Sequence, residues 1–457
     1  MKSRRHFLKT CGAVSLGFAG LGLFTTCDRR DYSNGGYGAL QPHPNGFLQL
    51  PKGFTCKVIS TKGDKMSDGF FVPGLPDGMA TFPGKDGRIV LVRNHELHRK
   101  GDSAFGQEDE LLKRLKPNQL YDYGNGKTPG YGGTTTLVYN PATQTVEQEF
   151  LSLAGTIRNC AGGPTPWNSW ITCEETVLPK HKFWEKNHGY NFEVPVTEEP
   201  LLAKPRPIKG MGRFNHEAVC VDPKTSIVYQ TEDREDGLIT RYIPKVRGQL
   251  IEGGTLQALV IKDQPSMDTR NWGETDDVFT VKQQLEVSWM DLKNIESPKD
   301  DLRHRGYKEG AARFARGEGM WFGDNEFYFA CTNGGRTKTG QIFRYFPSLY
   351  EGTAQEATAP GKLELFAEPN DRKLLQYCDN LTVAPWGDIV VAEDHGQAYL
   401  VGINTKGEYY KIAKNVGPGS EFAGITFSPD GKLLFANLQA TGLTLVIEGP
   451  WQPGLEG

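Results

Sequence analysis

Short apolar runs alternate with turn residues along the whole chain, and one arrangement of them recurs. Residues 158–175, R-N-C-A-G-G-P-T-P-W-N-S-W-I-T-C-E-E, read as a two-stranded hairpin. Cys160 sits at its start and the paired acids Glu174 and Glu175 at its end. Cys160 and Glu175 are fifteen residues apart, and in a tight hairpin such residues are neighbours at the open end. Residues 217–232 repeat the plan from Glu217 to Glu232, with Asp233 next, and residues 318–333 run from Glu318 to Asn333. Residues 379–394 run from Asp379 to Glu393 and Asp394. A weaker copy at 423–438 turns on S-P-D-G and ends near Asn437. An N-terminal copy turns at Gly84–Gly87 and ends on Asn94, His95 and Glu96. The six turns carry the Gly, Pro, Asp and Asn that tight connections need, and each second strand is apolar.

Divergent β-units of this kind predict an all-β radial repeat, a β-propeller, with loop and helical insertions covering the channel mouth. Val58 to Val92 is expected to open the first blade, and the apolar run 444–448 to close the ring. Residues 97–133 read as a polar insertion over the mouth, and residues 263–315 as charged and partly helical.

Composition narrows the partners. A net charge of −3 over 457 residues gives no reason to expect nucleic acid or a polybasic membrane surface. Eight cysteines are scattered without a C-x-x-C pair, which weighs against a structural zinc site. Cys173, Cys220 and Cys331 lie in strand-like runs and read as small buried hydrophobes, although a disulfide stays open.

The N-terminus M-K-S-R-R-H-F-L-K matches the twin-arginine export pattern. F-T-T-C ending at Cys27 is either a lipoprotein box, with a lipid anchor there, or is passed over for cleavage downstream. The expected division is therefore a leader over 1–27, a Gly-rich linker over 28–48 and one propeller domain over 49–457. The protein is expected in the periplasm or outside the cell, exported folded by the twin-arginine translocon, and monomeric.

The recurring acids carry the chemistry. Carboxylates suit hard cations such as calcium. Glu96, Glu174, Glu175, Glu232, Asp233, Asp379, Glu393 and Asp394, gathered at one mouth without metal, would repel one another. A thiolate at Cys160 beside Glu217 and Glu318 suits a transition metal, although a buried inert cysteine is the alternative. Arg316 reads either as a salt-bridge partner or as a clamp on an anionic substrate, and Asn94 as a donor to the same anion or a turn residue. His95, His216 and His395 each adjoin an acid but lack zinc-hydrolase spacing.

Together with the leader, N-H-E at 94–96, C-A-G-G-x-T-P-W from Cys160, G-R-F-N-H-E-A, T-E-D at 231–233, R-G-E-G-M-W-F, D-N-L at 379–381 and E-D at 393–394, these motifs resemble the PhoX-type alkaline phosphatases. The resemblance spans about residues 50–440. It implies a six-bladed propeller, two ferric ions bridged by oxide, three calcium ions, and hydrolysis of phosphate monoesters. By it, Cys160, Glu217 and Glu318 would ligate iron, and Glu174, Glu175, Glu232, Asp233, Glu393 and Asp394 calcium or iron. Arg316 and Asn94 would hold the phosphate oxygens of small phosphate esters. Two other readings stay open: a calcium-dependent propeller lactonase, which needs no thiol, and a non-catalytic surface propeller with structural metals.

Overall fold

The computed structural model describes residues 36–273 and 279–451. The leader and Cys27 lie outside them. The chain opens with β1 (Leu40–Pro42), β2 (Leu48–Pro51) and β3 (Thr55–Thr61). Next come β4 (Pro76–Pro83), β5 (Ile89–His95), β6 (Gly132–Asn140) and β7 (Thr145–Thr156), then β8 (Asn159–Pro164), β9 (Ser169–Glu174) and β10 (Asn191–Pro195). β11 (His216–Val221), β12 (Val228–Glu232), β13 (Thr240–Pro244), β14 (Gly254–Ile261) and β15 (Gln284–Asp291) follow. The one α-helix among the described residues, α1 (Leu302–Glu309), precedes β16 (Gly317–Phe322), β17 (Phe327–Cys331), β18 (Gln341–Phe346) and β19 (Lys362–Ala367). β20 (Cys378–Val383), β21 (Ile389–Glu393), β22 (Tyr399–Ile403) and β23 (Tyr409–Asn415) precede the last three, β24 (Phe422–Phe427), β25 (Leu433–Leu438) and β26 (Leu443–Glu448).

All of the hairpins expected from the sequence form, as the antiparallel pairs β4–β5, β8–β9, β11–β12, β16–β17, β20–β21 and β24–β25. Their second strands are buried end to end, as continuous apolar runs such as I-V-L-V and I-V-V-A require. The S-P-D-G turn illustrates the local cause. Asp430 accepts the Ser428 hydroxyl at 2.6 Å, and Gly431 takes the left-handed φ of 71° that the turn needs.

The strands form sheets β4-β5-β6-β7, β8-β9-β10, β24-β25-β26-β3, a six-stranded β1-β2-β23-β22-β21-β20, and a nine-stranded sheet. The nine-stranded sheet runs β11-β12-β13-β14-β15-β19-β18-β17-β16 and is joined through β15. The first strands of the hairpins meet in a closed circuit: β4 touches β8, β8 touches β11, and so on through β16, β20 and β24 back to β4. The arrangement is propeller-like, with the apolar cores between successive sheets. One such core packs Met79, Leu91 and Leu137 against Phe435 and Val446 across the closing sheets.

Two expectations change. Val58 does not open the first blade. β3 pairs with β26, Lys57 opposite Val446, so the N-terminal strand completes the last sheet and fastens the circuit. The segment read as a linker also contains β1 and meets β2, which joins β23. A buried arginine secures the closure: Arg93 on β5 reaches Ser60 on β3 at 3.0 Å, Thr444 on β26 at 2.5 Å and Glu149 on β7 at 2.7 Å. No helix among the described residues is long and apolar enough to cross a membrane.

Candidate metal centre

Each hairpin carries the same irregularity at its open end. In β4–β5, Pro76 faces His95 and the next pair is Met79 with Arg93. The first strand advances three residues while the second advances two, which is a β-bulge. The same slip follows Asn159, His216, Gly317 and Cys378. In the last hairpin it follows Ala423. The first bulged residues are thus Asp77, Cys160, Glu217, Glu318, Asp379 and Gly424. A bulge re-aims its side chain, and here five re-aimed side chains reach one cavity of about 190 Å³. At Gly424 an added Cβ would lie 2.1 Å from the Asp77 carbonyl oxygen, so only glycine fits.

A second level comes from the residue after each second strand. The backbone N–H groups of Glu96, Glu175, Asp233, Thr332, Asp394 and Gln439 donate to the carbonyls of Leu75, Arg158, Asn215, Arg316, Tyr377 and Glu421, at 2.9–3.3 Å. Except for Thr332, Leu75, Asn215 and Tyr377, all of these residues line the same cavity.

The geometry supports three candidate cation positions in a row. Ligand atoms of Asp77, Glu96 and Cys160 lie within 4.8 Å of one another, as do those of Cys160, Glu175 and Glu217, and those of Glu217, Glu318 and Asp379. Cys160 and Glu217 are shared between neighbouring trios. Both carboxylate oxygens of Glu217 are buried, with no hydrogen-bond donor among the described residues. A buried carboxylate left so costs several kcal/mol, and cations remove that cost. The donor set, oxygens plus one sulfur, fits hard divalent ions together with a softer transition metal.

Electrostatics agree. Burial first, then the facing carboxylates, push the carboxyl groups of Asp77, Glu217 and Glu318 well above their usual range. Burial also raises Glu175, against the pull of Arg158. Burial and then Asp394 bring Asp379 to about 7, and burial and a hydrogen bond with Asp394 bring Glu421 to about 11. Burial, Asp77 and Glu217 push the Cys160 thiol up likewise. Two guanidinium groups balance part of this. Arg316 Nε donates to Asp233 at 2.8 Å and its Nη2 to Glu318 at 2.7 Å. Arg158 Nε donates to Glu96 at 2.8 Å, and its Nη2 pairs with Glu175.

The structure separates the sequence candidates. Cys160, Glu96, Glu175, Glu217, Asp233, Glu318, Asp379, Asp394 and Arg316 line the cavity. Glu174, Glu232 and Glu393 do not, because successive residues of a strand point to opposite sides. Glu174 accepts His188 Nδ1 at 2.7 Å and the Ile157 and Gly189 N–H groups. Glu232 accepts the Leu238 N–H at 3.2 Å beside Arg303, and Glu393 accepts the N–H groups of Gln376 and Tyr399. Asn94 also departs from its expected role. Its amide donates to the Cys160 and Ala161 carbonyls at 3.0 and 2.7 Å, and its oxygen accepts Trp170 Nε1, so no donor remains for substrate. His95 bonds Gly74 and Thr135, His216 lies against Phe214 and bonds Gly212, and His395 bonds Glu393. The cysteines among the described residues are free.

Sequence reasoning passed over Asp77, Arg158, Glu421 and Gln439. The signal that finds Asp77, Arg158 and Gln439 is positional: the bulge, the residue two before it, and the residue after the second strand; Glu421, three before the bulged Gly424, is marked by its carbonyl accepting the Gln439 N–H.

Fold and site together define a propeller-like all-β protein with a carboxylate- and thiol-lined cavity whose donors could hold metal ions. The chain belongs to the alkaline phosphatase PhoX family, whose model matches residues 35–442, and is thereby a phosphoric monoester hydrolase. Its structure is similar to that of Pseudomonas fluorescens PhoX in complex with vanadate, a transition state analogue: TM-score 0.62, 16% identity, over 90% of this chain and 97% of that one. A gluconolactonase from Xanthomonas campestris aligns at TM-score 0.37 and 11% identity, over 86% of this chain and 97% of its own. A structural genomics protein of unknown function from Bacteroides thetaiotaomicron aligns at 0.43 and 9%, over 86% and 76%. A search of the curated proteins gives no match.

Proposed function

We propose that this protein hydrolyses phosphate monoesters at an iron–calcium centre in the mouth of a six-bladed propeller. The blade count is supported by the six hairpins, each with its bulge, and by the circuit of first strands. The observation that carries the function is the row of trios sharing Cys160 and Glu217, with Arg316 beside it. Cys160, Glu217 and Glu318 would hold the iron, and Asp77, Glu96, Glu175, Asp379 and Asp394 would hold iron or calcium. The bound ions would supply positive charge to neutralise the phosphoryl oxygens and activate water.

The chain's own residues do the rest. Asp233 and Glu318 fix the plane of the Arg316 guanidinium, and its Nη1 makes no hydrogen bond among the described residues, facing Asp394 at 3.9 Å. That nitrogen is available to a phosphoryl oxygen, where charge develops as the P–O bond breaks. Asn94 holds the Cys160 backbone in place. Gln439 orients Asp77 and Glu96 at 2.6 and 3.0 Å. The products are an alcohol and phosphate. Export by the twin-arginine route to an extracytoplasmic location belongs to the same proposal, resting on residues 1–27, with Cys27 either lipidated or passed over for cleavage downstream; so does a monomeric state.

The test compares wild type with Cys160→Ser on p-nitrophenyl phosphate and on a lactone, with iron and calcium measured in each. Phosphate ester turnover lost together with iron in the variant is expected. Lactone turnover by a calcium-only variant would overturn the proposal in favour of a lactonase. Bound metals with neither turnover would leave a non-catalytic propeller.

A further inference from the structure

Two arginines occupy equivalent places in different hairpins. Arg158 and Arg316 each stand two residues before the bulged residue of their strand, at left-handed φ values of 50° and 53°. Leu75 and Tyr377 share that backbone state at their own hairpins, at 44° and 53°, so the conformation belongs to the hairpin and the side chain is what differs. Each arginine reaches back to the acid ending the previous hairpin, Arg158 to Glu96 and Arg316 to Asp233, and to an acid of its own, Glu175 or Glu318. Each leaves Nη1 without a hydrogen bond among the described residues, that of Arg316 facing Asp394 at 3.9 Å. Their side chains are 40% and 31% exposed, and both line the same cavity, in which they are the two cationic side chains among the described residues.

We propose that Arg158 is a second phosphoryl-binding arginine, which closes on the same group as Arg316 from another hairpin; this rests on the phosphatase reading. The cavity, about 190 Å³, is smaller than the roughly 300 Å³ at which pockets for whole small molecules begin. It takes the phosphoryl group and leaves the alcohol portion outside. Two planar forks, each oriented by carboxylates, then offer donors to different oxygens of one tetrahedral anion. A role limited to neutralising Glu96 and Glu175 would not require a guanidinium with one nitrogen left unspent.

The experiment uses the metal-loaded full protein, wild type against Arg158→Lys and Arg158→Ala, with inorganic phosphate as the probe. Lysine keeps the charge beside Glu96 and Glu175 and removes the fork. Metal content per chain is measured alongside the inhibition constant for phosphate, and phosphate binding is measured by calorimetry whether or not turnover occurs. Both variants are expected to keep wild-type metal content and to bind phosphate about tenfold more weakly, the loss of one charge-assisted hydrogen bond. Added guanidinium ion is expected to restore part of the affinity of Arg158→Ala. Phosphate affinity within twofold of wild type in Arg158→Lys would overturn the proposal. So would weakening that tracks metal loss. A wild type that binds phosphate without hydrolysing esters would refute the phosphatase reading and leave the clamp standing.

Discussion

Glu174 and Glu175 are adjacent in the chain and do unrelated work. Glu174 is fully buried, holding His188 and the backbone of residues 188–190, while Glu175 faces the cavity beside Arg158. Burial lowers the His188 pKa, while Glu174 on one ring nitrogen and Asp122 on the other raise it to about 9, so the buried imidazole is charged at neutral pH. Replacing Glu174 leaves that buried charge with Asp122 alone. Glu174→Gln is expected to lower unfolding stability by about 1–3 kcal/mol with metal content unchanged. Glu175→Gln is expected to lower metal content with a smaller stability cost in the chelated protein. Chemical denaturation and elemental analysis of the two variants check this pair; equal behaviour would contradict it. Asn94 makes the same point, since all its polar atoms are spent on Cys160, Ala161 and Trp170.

The bulged hairpin is the element that makes the site, and it needs small residues. After four of the five bulged site residues come Gly78, Ala161, Ala218 and Gly319, where neighbouring hairpins approach; Asn380 follows Asp379. A Cβ at Gly319 would lie 2.5 Å from Leu381 N, and one at Gly78 2.6 Å from Ala161 Cα. Backbone cannot retreat cheaply in a close-packed circuit, so Gly319→Val is expected to cost about 1–3 kcal/mol or more and to displace Glu318. Thermal unfolding and phosphate ester turnover measure both effects; a stable, active variant would contradict the packing account. The hairpins themselves were legible because their turns and apolar second strands are local features. The bulge was not, because one extra residue in a strand leaves no mark in composition. That is why Glu174, Glu232 and Glu393 looked like ligands: the sequence puts both members of each acidic pair at the strand end, and only the pleat decides between them. Asp77 escaped for a related reason. The sequence marks its hairpin by the turn at Gly84–Gly87 and the N-H-E end, and Asp77 lies before both. The sheet that β3 joins is not legible locally, because its partner, β26, is nearly the whole chain away.

At the scale of the molecule, the circuit concentrates acids that would repel one another unaided. Burial raises the carboxyl groups of Asp77, Glu175, Glu217 and Glu318, and brings Asp379 to about 7. A carboxyl whose folded pKa exceeds its unfolded value, about 4, binds more protons folded than unfolded. The metal-free protein therefore loses stability as pH rises from about 4 through about 7 and beyond. Its melting temperature is expected to be lower at about pH 8 than at about pH 5.5, and added calcium and iron are expected to reverse that order. A chelated protein equally stable at both pH values would show that the acids do not converge as described. The closure through Arg93 and β3–β26 is what holds them together against that repulsion.

The most direct measurement is the metal content of the purified protein, counted per chain in wild type and in Glu217→Gln. Glu217 is shared by two trios, and its carboxylate has no partner among the described residues. More than one ion per wild-type chain is expected, a transition metal among them, with a loss of ions in Glu217→Gln and the β-sheet signal unchanged. Wild-type protein that hydrolyses phosphate esters at full rate with no bound metal would contradict this.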